Sequence, residues 1–162
     1  MEQQPYWQDV LVTLRQIIRA TDLHSKRMMK ACGLTIPQVM VLRAIDGLSN
    51  VTVRRISDHV SLSQATVTII LNRLEERGLA ERRRSTSDKR VVNTVLTDAG
   101  RTILASAPTL LHEEFIRQFD GLPNWEKTQI LSSLQRVAAM MDAEKIDAAP
   151  LLDIGAIDRN VE

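Results

Sequence analysis

Val10, Leu11, Leu14, Ile17, Ile18 and Thr21 recur at helical spacing, with Arg15 and Arg19 on the opposite side. That pattern predicts a helix over residues 7–31, stopped at Gly33. A second helix is expected from Thr35, with Pro37 in its first turn, where a missing N–H costs nothing. Val39, Met40, Leu42 and Ile45 give it a buried face, and Gly47 ends it. Thr52 is placed to cap a short helix over residues 53–60. Ser61-Leu62-Ser63 then makes a tight turn, and Ser63 caps a helix over residues 64–77 closed by Gly78. Two short helices joined by a turn of about three residues form a helix-turn-helix. After Gly78 the period changes. Residues 79–84 and 91–96 are β-prone runs flanking Ser85-Thr86-Ser87-Asp88-Lys89-Arg90, a hairpin with a polar, basic tip. Thr97 then caps an expected helix over residues 98–119, which breaks at Gly121-Leu122-Pro123. A last helix over residues 124–143 carries Ile130, Leu131, Leu134, Val137 and Met141 on one face. The tail, residues 144–162, holds Pro150 and Gly155 and no sustained period. The expected fold is mainly α with a small β-hairpin wing.

Composition changes this picture little. Of 162 residues, 44% are hydrophobic, 25% charged and only 3% aromatic, so an aliphatic, helix-on-helix core is expected. No apolar run reaches the roughly 20 residues of a membrane span. Met1-Glu2-Gln3-Gln4-Pro5 lacks the basic and apolar regions of a signal peptide. Cys32 is the only cysteine, which excludes an intrachain disulfide and suits a reducing cytoplasm. Charge is more telling once it is divided along the chain. Residues 1–50 carry a net +2, residues 51–101 a net +4 and residues 102–162 a net −5. The basic middle is what a polyanionic partner requires, although a charge run is also how a solvated face looks.

The helix over 64–77 buries Val67, Ile70, Leu71 and Leu74 at i, i+3, i+4 and i+7. Its opposite face carries Ala65, Thr66, Thr68, Ile69, Asn72 and Arg73, with Ser63 and Gln64 at its start. Those short, hydrogen-bonding side chains lie where a recognition helix meets base edges. Glutamine pairs bidentately with adenine, and Ala, Thr and Ile methyls suit the thymine methyl. Ile69, an apolar side chain on a polar face, either meets DNA or packs on the wing. In the hairpin, Arg82, Arg83, Arg84, Lys89 and Arg90 form a cationic edge. An arginine on a thin loop can enter a narrow minor groove, and Asp88 is placed to hold Arg90 extended.

The chain resembles MarR-family regulators in Ile56-Ser57-Asp58-His59-Val60, Leu62-Ser63-Gln64-Ala65-Thr66-Val67-Thr68 and Leu74-Glu75-Glu76-Arg77-Gly78-Leu79. Ser87-Asp88-Lys89-Arg90 and Leu96-Thr97-Asp98-Ala99-Gly100 continue the likeness, which spans about residues 7–142. The resemblance implies a winged helix-turn-helix over 34–97 and dimerisation helices over 1–33 and 98–143. It also implies a homodimer on a near-palindromic double-stranded operator, usually repressing, and often released by a small ligand or by oxidation. Residues 18–26, and in the tail residues 141–150 with 152–156, resemble a proteobacterial branch controlling compatible-solute genes for ectoine synthesis and betaine uptake. The alternative is a ligand-released repressor of efflux, catabolic or stress genes.

Candidate small-molecule chemistry is sparse. Cys32 is either a peroxide sensor or an inert thiol. Its place beside Gly33, far from the only tyrosine, favours the inert reading. His24, His59 and His112 share no metal-ligand spacing, so no metal and no cofactor are expected. Tyr6, Trp7, Phe115, Phe119 and Trp125 either fill the dimer core or cage a quaternary ammonium solute such as glycine betaine. No phosphate loop, nucleophile–base set or carboxylate motif supports an enzyme. The basic wing counts against a purely protein-binding adaptor, because protein interfaces are depleted in lysine.

Overall fold

A computed structural model of the chain describes residues 5–48, 51–84, 92–146 and 148. Of these, the residues up to Pro108 form one compact unit and those from Thr109 a second.

The first unit opens with α1 (Tyr6–Cys32) and α2 (Ile36–Gly47). Gly33 ends α1 in the left-handed region (φ 66°), returning its N–H to the Met29 carbonyl. The Thr35 N–H donates to Gln38 Oε1 at 3.0 Å, which fixes the start of α2. α3 (Val53–Val60) and α4 (Gln64–Glu76) follow. Thr52 and Ser63 cap them as expected, accepting from the N–H groups of Arg55 (3.3 Å) and Thr66 (3.1 Å). β1 (Ala80–Arg84) and β2 (Val92–Leu96) pair antiparallel, with Ala80 opposite Leu96 and Arg84 opposite Val92. The sequence pattern implies only a hairpin. In the structure the Thr94 N–H also donates to the Val51 carbonyl at 2.8 Å, so the chain ahead of α3 braces the wing's second strand. α5 (Asp98–Ser106) closes the unit. Met28, Leu34, Ile36, Val39, Leu42, Ile56, Val67, Leu71 and Leu74 form its core, all fully buried.

The second unit contains α6 (Leu111–Asp120) and α7 (Asn124–Met140). The single helix expected over 98–119 is therefore two, and the cause is Pro108. Proline lacks an N–H, clashes with the preceding turn and drives the residue before it out of helical geometry. Ala107 accordingly adopts φ −71°, ψ 132°. The Pro108 carbonyl accepts from Arg43 Nη2 at 3.1 Å, which pins this end of the first unit to α2. Neither α6 nor α7 buries a single residue. No single helix among the described residues is long and apolar enough to cross a membrane.

Candidate nucleic-acid interface

The helix-turn-helix is built by local bonds, of which the sequence anticipates the Ser63 cap. Ser61 leaves α3 in the left-handed region (φ 55°). Ser57 turns its hydroxyl inward and donates to the Leu62 carbonyl at 2.5 Å, locking the turn from beneath. Ser63 then accepts from the Thr66 N–H, and its hydroxyl lies 2.8 Å from that of Thr66. A cap of this kind contributes about 1 kcal/mol, and it leaves the first turn of α4 in one geometry.

With Val67, Ile70, Leu71 and Leu74 buried, α4 has only one face left to offer. Ser63, Gln64, Ala65, Thr68, Asn72 and Arg73 are exposed, Thr66 is half-buried and Ile69 remains 53% exposed. Ile69 thus keeps about half of its surface open on that face. The Thr68 hydroxyl donates to the Gln64 carbonyl at 2.7 Å, so towards any partner it has lone pairs and a methyl to offer. Asn72 also has a partner within the chain. Its Oδ1 accepts from Arg82 Nη2 at 2.9 Å, while Arg82 Nη1 lies 3.0 Å from Glu75 Oε2.

The sequence marks Arg82 only as part of a basic edge. In the structure it clasps β1 to α4 and sets the wing against the reading helix. Being about one-third exposed, the clasp is worth less than about 1 kcal/mol of stability. Replacing Arg82 with Ala is therefore expected to leave the fold intact. It should lower affinity for a specific duplex more than for random DNA, as side-by-side titrations would show. An equal loss on both would make Arg82 an ordinary phosphate contact.

Arg83 and Arg84 are exposed on β1, and Arg83 meets the Glu81 carboxylate. Asp88, Lys89 and Arg90 lie outside the described residues.

The wing root is held by Thr97, whose hydroxyl accepts from the Gly100 N–H at 3.0 Å and donates to the Gly78 carbonyl at 2.7 Å. The Thr97 N–H reaches the Leu79 carbonyl at 3.2 Å. Gly100 packs so close to this strand start that a Cβ there would lie 2.0 Å from the Leu79 oxygen. Periodicity carries no trace of that contact. At the far end of α4, Arg77 Nη1 donates to the Gly33 carbonyl at 2.7 Å, tying the reading head to the end of α1.

The aromatic residues divide between the two units. Tyr6 (84%) and Trp7 (60%) are exposed on α1. In the second unit Phe115 and Phe119 stack at 5.3 Å, Lys127 Nζ lies 5.9 Å from the Phe119 centroid and Trp125 is 67% exposed. Cys32 is buried, with its thiol 3.3 Å from the Met28 carbonyl, which supports the inert reading.

Comparison with known proteins agrees with this architecture. The MarR-family sequence pattern matches residues 34–92, from the end of α1 to the second wing strand. The chain is 34% identical over 101 residues to the HTH-type transcriptional regulator MgrA of Staphylococcus aureus, covering 56% of this chain and 69% of MgrA. It is 28% identical over 128 residues to the HTH-type transcriptional regulator SarZ of Staphylococcus haemolyticus, covering 78% and 82%. Among solved structures it resembles Streptococcus pneumoniae FabT in complex with DNA, with TM-score 0.52 and 25% identity over 86% of this chain and 99% of FabT. A capped reading helix, a clasped basic wing and these relatives together show that the chain belongs to the MarR family, whose members are DNA-binding transcriptional regulators and not enzymes.

Proposed function

We propose that the protein is a homodimeric repressor that binds a near-palindromic operator and acts on cytoplasmic DNA. Support for the DNA contact comes chiefly from the exposed face of α4 beside the cationic edge of β1. FabT, a similar fold, has been solved on DNA. Support for the dimer comes from unpaired apolar surface. On α1, Leu11, Ile17 and Ile18 are 46–60% exposed, and on α7, Leu131 and Leu134 are 48–55% exposed. Burying the exposed half of each such side chain is worth on the order of 1 kcal/mol, and a monomer rarely leaves so many in water. In this reading residues 1–33 and 98–143 dimerise and residues 34–97 read DNA.

Arg83, Arg84 and Lys89 act on phosphates, whereas Gln64, Thr68 and Ile69 face bases and Arg90, oriented by Asp88, enters the minor groove. Ser63, Ala65, Thr66, Asn72 and Arg73 complete the contact. A salt titration of each variant on operator and on random duplex tests the division. Removing Lys89 or Arg84 should weaken both duplexes alike and lower the log–log salt slope by about 0.9 for each phosphate no longer neutralised. Gln64→Ala should cost about 1–3 kcal/mol on operator only, with its salt slope unchanged. Identical specificity ratios and slopes for Gln64→Ala and Lys89→Ala would overturn the assignment.

For the regulated genes we propose the compatible-solute branch and an osmotic-stress role, on the strength of residues 18–26, 141–150 and 152–156. Within the second unit, Phe119, stacked on Phe115, already receives one cation on its ring, the Lys127 ammonium. A quaternary ammonium such as glycine betaine suits the same ring faces, with Trp125 as a further wall. Betaine should then raise the melting temperature more than an equally concentrated neutral osmolyte. Trp125→Leu should erase the difference. Equal shifts in both solutes would favour a ligand-released repressor of efflux or catabolic genes instead.

A further inference from the structure

The end of α2, strand β2 and the start of α5 enclose an open crevice of about 340 Å³, which the DNA contacts leave unexplained. Its volume lies at the small end of the range for small-molecule sites. We propose that this crevice binds a small zwitterion, a carboxylate bearing an N–H-carrying cationic nitrogen, and that the bound solute competes with DNA phosphate for Arg83.

The chemistry of the lining carries the proposal. Asn93 lines the crevice, and its Oδ1, turned away from solvent just behind that lining, has no hydrogen-bond donor. A buried acceptor without a donor is rare in folded proteins and calls for one. Asn93 stands directly opposite Arg83 in the wing ladder, so their side chains leave the same face of the hairpin. A second guanidinium, that of Arg101, lines the same space. Its Nη2 donates to the Leu96 carbonyl at 3.0 Å and its Nε lies 3.7 Å from Asp98 Oδ1, an exposed carboxylate with which a ligand's carboxylate would compete. Asp46 supplies the opposite charge. It sits in the last turn of α2, where the helix dipole disfavours an anion, and it makes no ion pair among the described residues. Val51 and Leu96, both buried, form an apolar wall.

Two cations, one anion and one orphaned acceptor within so small a volume select their ligand. A carboxylate fits a guanidinium fork in a way that a simple point charge does not. An inorganic anion would satisfy the arginines but would repel Asp46 and leave Asn93 without a donor. A quaternary ammonium would satisfy Asp46 yet has no N–H for Asn93, which separates this crevice from the ring faces of α6. A primary, secondary or amidinium nitrogen satisfies both. Arg83 is also one of the side chains assigned to phosphate, so a carboxylate that draws it into the crevice withdraws it from DNA. This competition rests on the DNA-binding reading; binding of the zwitterion to free protein does not.

The test is calorimetric titration of the full chain with a set of α-, β- and cyclic amino acids. Acetate, methylammonium and glycine betaine serve as truncated or N–H-free probes. At least one amino acid should bind once per chain at sub-millimolar concentration, with every truncated probe at least tenfold weaker. Asn93→Leu and Asp46→Asn, two substitutions on different elements, should each weaken binding at least tenfold. Absence of binding across the set, or binding unchanged in both variants, overturns the site. Glycine betaine binding as tightly as the amino acid overturns the N–H requirement. The bound amino acid should also lower affinity for random duplex in the wild type but not in Arg83→Gln. Unchanged DNA affinity with the ligand bound overturns the competition alone. A free protein that binds no duplex at all would instead overturn the DNA-binding reading.

Discussion

Gly100→Ala is expected to destabilise the protein by about 3 kcal/mol or more, at the upper end of what forcing one extra carbon into a packed site costs. The added Cβ would stand 2.0 Å from the Leu79 carbonyl oxygen, a backbone atom that cannot rotate away. Relief requires α5 and the strand start to separate. That separation breaks the Thr97 bonds to Gly78 and Leu79 and lets the wing root drift. For a chain of this size the melting temperature should fall by about 6–12 °C. DNA affinity should fall with it, because the wing loses its anchor. Gly47 is the internal control: nothing lies within 4 Å of a Cβ there, and alanine should be neutral or slightly stabilising. A Gly100→Ala protein melting within about 1 °C of the wild type would refute the close approach.

The second large effect concerns assembly. Leu11→Glu with Ile18→Glu places two carboxylates on a face of α1 that is 49% and 60% exposed in the single chain. Neither side chain belongs to the core of the first unit, so the reading head has no local reason to unfold. In a homodimer the same carboxylates are buried without partners, a cost that separates the protomers. A lone protomer holds one half-site. It forfeits the avidity of two linked sites, and operator affinity should fall at least about 100-fold. Sedimentation and gel-shift measurements on the same sample decide the matter. A monomer, or an unfolded chain if the dimer is obligate, meets the expectation. A double variant that stays dimeric with wild-type operator affinity would refute the interface.

The helix-turn-helix is legible in the sequence because its determinants are local. Thr52, Ser63 and Thr97 each accept from an N–H three residues on, and the stripe Val67, Ile70, Leu71, Leu74 lies within two turns. What escapes a sequence reading depends on partners distant in the chain. Gly100 reads as a motif residue, but its reason is a backbone oxygen 21 positions earlier. Asn72 reads only as a base contact, and nothing local shows that its Oδ1 also accepts from Arg82, ten residues on. Asn93 reads as an ordinary wing residue, since nothing in a strand's alternation shows an acceptor closed off from water. The break at Pro108 is different, being readable locally. The apolar positions 103, 104, 110 and 111 keep an approximate helical spacing across it, and that spacing masks the proline.

The way α1 is attached has a mechanical consequence. At 27 residues it is a rod of about 40 Å, buried only at Thr21, Met28 and Cys32 and riveted at its end where Gly33 accepts from Arg77. The reading head therefore rides on one end of a lever whose other arm is free for a second protomer. Tilting such a rod by about 5° displaces its far end by about 3.5 Å, close to the rise of one base pair. In the proposed dimer, a substitution near Trp7 or Val10, far from any DNA-facing residue, would thus alter which half-site separation is tolerated. Base preference within each half-site would stay as it was.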